Sequence, residues 1–80
     1  MDKDIEKYLS EIERIRGARI EHSRIMLKMS RKELADAINV TQQQLYKYEN
    51  GRNRISVGRL LLSAKKLNTS ILYFFPNNDH

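Results

Sequence analysis

Between Ser30 and Gly51 the chain reads SRKELADAINVTQQQLYKYENG, and the spacing within this stretch leaves little freedom of fold. Ser30 and Glu33 make an S-x-x-E capping box, with the serine hydroxyl taking the Glu33 amide and the glutamate reaching back. This starts a helix to about Ala37 that buries Leu34, Ala35 and Ile38. Asn39 follows, a residue type that tolerates the left-handed backbone of a tight turn. Val40 is the apolar residue of the turn, and Thr41 is a good N-cap for the next helix. That helix, Gln42 to about Asn50, buries Leu45 and Tyr48 and ends at Gly51, a C-cap residue. Two short helices joined by a tight turn are therefore predicted, with a small residue, Ala35, where they must approach closely.

The rest of the chain reads as nearly all helix, because Pro76 is its one proline and comes near the end. Ile5, Tyr8, Leu9, Ile12 and Ile15 form an apolar stripe at helical spacing over residues 4 to 15, and the early acids suit a helix N-terminus. Ile20 and Leu27 form a second stripe. Ile15 to Ile20 is a step of five residues, about 140° out of phase at ~100° per residue. Either the helix breaks near Gly17 or one long helix serves two surfaces. Ser56 can cap a further helix with Val57, Leu60, Leu61, Ala64 and Leu67 on one face. Ser70 starts a last turn or two over ILYFF, stopped by Pro76. The fold class is all-α, in one domain of 80 residues.

Composition narrows the function. There is no cysteine, which removes disulfides and makes a zinc finger implausible. No apolar run is long enough to span a membrane, and the charged start MDKDIEKYLSEIER is no signal peptide, so the expectation is a cytoplasmic chain with no membrane partner. The net charge is +5, unevenly placed. Before Ser30 acids and bases nearly balance. After it Arg31, Lys32, Lys47, Arg52, Arg54, Arg59, Lys65 and Lys66 face only Glu33, Asp36, Glu49 and Asp79. The positive field thus accompanies the three glutamines Gln42, Gln43 and Gln44. A glutamine amide can donate to and accept from adenine at once, and phosphate needs the positive charge. His22 and His80 have no ligand or triad companions. There is no glycine-rich phosphate loop and no facing pair of acids, so neither an enzyme, a metal site nor a cofactor is expected.

In a helix-turn-helix the first helix crosses the DNA backbone and the second enters the major groove by its N-terminal residues. The polar outer side of the second helix, Gln42, Gln43 and Lys47, fits that requirement, and Tyr46 is exposed by position. With RGARI (16–20), Arg24, the stretch 30–51 and SVGRLLLSAKKLNTSILYFF (56–75), the chain resembles the phage repressor and Cro class of helix-turn-helix proteins, the XRE-like group. The resemblance covers roughly Ile15 to Phe75. It implies a compact bundle of five helices over residues 15–80, preceded by a helical extension, residues 1–14, with no counterpart in the minimal family domain.

The resemblance also implies sequence-specific binding of double-stranded DNA by a small, repressor-like regulator of transcription, mostly as a homodimer. It places Gln42, Gln43 and Lys47, with Gln44 further round, against bases. It places Arg31, Thr41, Asn50, Arg52 and Arg54 against phosphate, and Arg24 with Glu49 as a structural ion pair. Four positions depart from the family pattern. Asn39 and Lys28 stand where glycine is common, Ser23 where leucine is usual, and Arg31 where a glutamine often braces the first recognition glutamine.

Two other readings use the same fold. One is a DNA-binding antitoxin and the other a protein-interaction module. The N-terminal stripe and the aromatic end Tyr73, Phe74, Phe75 would be docking surfaces for a partner or a second copy.

Overall fold

A computed structural model describes residues 3–76; Asp79 and His80, named above, lie outside the described residues. Among these there are four α-helices and a closing 3₁₀ helix, and no strand. They are α1 (Lys3–Met26), α2 (Arg31–Ala37), α3 (Gln42–Glu49), α4 (Val57–Lys66) and the 3₁₀ helix Ile71–Phe74. The fifth element of the expected bundle is thus a single tight turn of helix.

Each start and stop has a local cause. Ser30, Thr41 and Ser56 sit in extended conformation, and their hydroxyls accept the amides of Glu33, Gln44 and Arg59 at 3.0–3.1 Å. Ser70 does the same for Leu72. The capping box at Ser30 is only half made: the Glu33 carboxylate turns to Lys66 of α4, 3.4 Å away. Four chain reversals share one closure. Lys28, Asn39, Gly51 and Asn68 have φ between 54° and 70°. The next amide in each case donates back across the turn, Met29 to Arg24, Val40 to Ala35, Arg52 to Lys47 and Thr69 to Ala64, at 2.9–3.0 Å. This is the Schellman closure of a helix end, and glycine is its usual left-handed residue.

The α1 helix runs unbroken through Gly17, so one helix serves two surfaces. Its second half buries Gly17, Ile20 and Arg24. The first half, residues 3–14, is the front of the same helix, with Ile5 and Tyr8 exposed and Leu9 and Ile12 half-buried. Gly17 is there for closeness. A Cβ on it would lie 2.2 Å from the Tyr48 carbonyl oxygen and 2.8 Å from that of Glu49. The end of α3 therefore rests directly on the α1 backbone. Gly51 repeats the contact, its missing Cβ falling 2.7 Å from the Arg14 Cα.

Ile20, Leu34, Ala35, Ile38, Leu45, Ile55, Leu60, Ala64, Leu67 and Phe74 form the core, with Met29, Val40, Tyr48, Ile71 and Phe75 packed against it. Three expectations need correction. Leu27 is exposed, because it follows the last helical residue and points out of the turn. On α4 the buried face is Leu60, Ser63, Ala64 and Leu67, whereas Val57 and Leu61 are 65% and 51% exposed. Leu61 stands about 100° round from Leu60, and Val57 lies in the first turn beyond the core. Ser63 is tolerated inside because its hydroxyl donates to the Arg59 carbonyl at 2.8 Å. Finally, Phe74 is 0% exposed and so offers no docking surface. Arg16 donates to the Phe74 carbonyl at 2.9 Å and lies over the Phe75 ring, and Arg19 donates to the Tyr73 carbonyl at 2.7 Å. These contacts fasten the C-terminal aromatics to α1.

Candidate nucleic-acid interface

The α2–turn–α3 unit is held from three sides. Below, Leu34, Ala35, Ile38 and Leu45 are buried in the common core. From α4, Arg59 donates through Nε to the Ile38 carbonyl at 3.1 Å and through Nη2 to that of Asn39 at 3.4 Å. The turn therefore has its carbonyls tied to a fourth element. Arg59 had no assigned role in the sequence reading, because a bond to backbone 20 residues away leaves no local pattern.

From α1, the support is ionic. The Glu49 side chain is 0% exposed and accepts from Arg24 Nε at 2.7 Å, Arg24 Nη2 at 3.3 Å and Arg31 Nε at 2.8 Å. Arg24 also donates to the Met29 carbonyl at 2.9 Å, and Arg31 reaches Glu21 at 3.3 Å. One buried carboxylate thus receives two guanidinium groups, and the network joins α1, α2 and α3. The hydrogen bond to Glu49 outweighs desolvation and keeps the Arg31 guanidinium above its ordinary pKa. A buried charge with complete partners is costly to disturb: removing one side of such a pair costs ~3–5 kcal/mol. The family resemblance sets Arg31 against phosphate. Here its guanidinium is engaged with Glu49 and Glu21 and lies 5.1 Å from the centre of the Tyr46 ring.

With α3 fixed, one face of it is left uncovered. Leu45 and Glu49 point inward, and Tyr48 is half-buried against the core. Gln42, Gln43, Tyr46 and Asn50 are exposed and Lys47 half-exposed, together forming a polar strip along the helix. Gln44 is half-buried and stands about 100° beyond Gln43. It is therefore off the strip, while Tyr46, one turn after Gln42, is on it. Thr41 opens the strip as N-cap. Asn50 closes it, with one amide hydrogen given to the Tyr46 carbonyl at 2.8 Å. Beyond it Arg52, Asn53 and Arg54 are exposed in the loop that leads to Ile55. Across an open cleft from this loop lie Glu6, Leu9, Ser10 and Glu13 of α1. Among the described residues no group of His, Cys, Asp or Glu could hold a metal ion, and no helix is long and apolar enough to cross a membrane.

A buried helix pair joined by a left-handed turn, with a second helix polar on its free side, defines a helix-turn-helix. Comparison with known proteins agrees. The model of the family described as "Helix-turn-helix" matches residues 20–74. The chain belongs to the helix-turn-helix family. Among curated proteins it is 48% identical over 67 residues to proteins from Rickettsia conorii and Rickettsia prowazekii, both named as HTH-type transcriptional regulators. The match takes in 84% of this chain and 54% and 52% of theirs. A Rhodospirillum rubrum protein, named as a transcriptional regulator in the ATPase CF(0) region, is 48% identical over 76% of this chain and 56% of its own length. The chain spans about half the length of the curated relatives it matches. These relatives are named as regulators and not as enzymes.

Proposed function

We propose that the chain binds duplex DNA sequence-specifically as a small, repressor-like regulator of transcription, with α3 in the major groove. The observation that carries this reading is the strip on α3. Gln42 and Gln43 are exposed at the N-terminal end of a helix whose other sides are locked to the core, to Arg24 and to Arg31. In this reading Gln42 and Gln43 pair with base edges, and Lys47 reaches a base from the next turn. Gln44, turned away from the strip, is a marginal base contact. Thr41, Asn50, Arg52 and Arg54 hold phosphate, as suits a capping hydroxyl, the remaining amide hydrogen of Asn50 and two exposed guanidinium groups. Arg31 adds its positive charge beside the backbone while it stays bound to Glu49. The protein then works in the cytoplasm, where bacterial DNA lies.

A single reading helix covers one half-site, and two-fold dimers reach two half-sites about one DNA turn apart. The reading therefore includes a homodimer. The exposed apolar groups toward the chain ends, Ile5 and Tyr8 on α1 and Leu72 on the 3₁₀ helix, are its candidate contacts. Selection of bound sequences from a random duplex pool at physiological salt tests both parts. A palindromic motif is expected. An enriched single half-site would remove the dimer, and no enrichment would remove sequence-specific binding.

A further inference from the structure

The free strip of α3 carries one residue that glutamine readout does not explain. Tyr46 is 42% exposed and is the aromatic member of a strip otherwise made of Gln42, Gln43, Lys47 and Asn50. At ~100° per residue its direction falls between those of Gln42 and Gln43, close to the midline of the strip. A tyrosine in such a place usually swings between rotamers. This one has a fixed backing. The Arg31 guanidinium lies 5.1 Å from the ring centre, within cation–π range. Arg31 itself is tied at 2.8 Å to the fully buried Glu49 and at 3.3 Å to Glu21. The ring thus has a held guanidinium group against it and remains exposed, an apolar body amid polar side chains. Among the base features exposed in the major groove, the apolar one is the C5 methyl of thymine.

We propose that Tyr46 is a specificity-determining residue whose ring, backed by Arg31, contacts a thymine methyl group in the major groove. The assignment rests on the reading of α3 given under the proposed function. It adds a preference for thymine at one position of the half-site that rests on apolar contact with the methyl group rather than on hydrogen bonds to a base edge.

Replacing thymine by deoxyuridine removes the methyl group and leaves the hydrogen-bonding edge intact. The test measures binding to the selected duplex with each thymine of the half-site so replaced in turn. It uses the wild-type chain, Tyr46→Phe, Tyr46→Ala and, as a monitor of α3, Gln42→Ala. At one position deoxyuridine should weaken wild type and Tyr46→Phe by about threefold to fivefold, the value of one buried methyl group. The same replacement should leave Tyr46→Ala unchanged. Silence at every thymine, or an effect that persists in Tyr46→Ala, overturns the proposal. So does a loss in Tyr46→Phe as large as in Tyr46→Ala without any deoxyuridine effect, which would give the hydroxyl to a phosphate. If Gln42→Ala still loses specific affinity in those cases, only the tyrosine assignment falls. If the random pool yields no preferred sequence, the reading of α3 falls with it.

Discussion

Replacing Gly17 by alanine sets two effects of opposite sign against each other. In a helix interior alanine is favoured over glycine by ~1 kcal/mol, and Gly17 lies in the middle of the 24-residue α1. By propensity alone the change should stabilise. Packing says otherwise. The new Cβ would meet the Tyr48 oxygen at 2.2 Å, the Glu49 oxygen at 2.8 Å and the Glu49 carbonyl carbon at 2.9 Å. All three are backbone atoms, so no side chain can rotate away. Relief to even 3.0 Å requires α3 to lift by roughly 0.8 Å, from an added methyl group that overpacking costs put at ~1–3 kcal/mol or more. That movement carries Glu49 with it and stretches its bonds to Arg24 and Arg31. The upper part of the range therefore applies, and a net loss of about 2 kcal/mol remains after the propensity gain. Urea unfolding followed by circular dichroism reads the difference. Ala18→Gly, at the exposed neighbouring position, is the control and should cost about 0.5–1 kcal/mol. A Gly17→Ala chain as stable as wild type, or more so, would refute the close crossing of α1 and α3.

Three further outcomes are expected. Glu49→Ala should destabilise by ~3–5 kcal/mol, since it leaves the buried Arg24 and the engaged Arg31 without their shared carboxylate; a loss below 1 kcal/mol in the same unfolding assay would show that the network is not structural. Lys28→Gly should raise stability by about 1 kcal/mol, because a lysine at φ 55° bears the left-handed penalty that glycine escapes; no gain would mean that the turn relaxes in solution. Arg52→Ala and Arg54→Ala should each weaken binding to all duplexes and lower the salt slope by about one; unchanged slopes would take the loop off the DNA backbone.

The helix pair was legible because its signals are local. Ser30, Thr41 and Ser56 cap the helices that they precede, and Asn39 and Gly51 take the left-handed turns. Asn68 makes the same turn after α4, and the residue pattern there could have shown it. The sequence left two readings open at Gly17, because a glycine required by a neighbour 31 residues away looks the same as one that breaks a helix. The α4 face was misjudged at Val57 and Leu61 for a related reason. Hydrophobicity marks the candidates, but the partner's position decides which of them are covered. The Arg59 brace, the Glu21 contact to Arg31 and the backing of Tyr46 join distant parts of the chain and have no sequence period. In the candidate site, helical spacing alone brought out both the exposed Gln42 and Gln43 and the direction of Gln44 further round.

Base reading by the exposed strip of α3 is tested by paired affinities. Wild type, Gln42→Ala and Gln43→Ala are titrated against the selected duplex and against a random duplex of equal length at one salt concentration. Each alanine should cost ~1–3 kcal/mol on the selected duplex, the value of a good bidentate base contact, and almost nothing on the random one. Equal losses on the two duplexes, or none on either, would contradict base reading by α3.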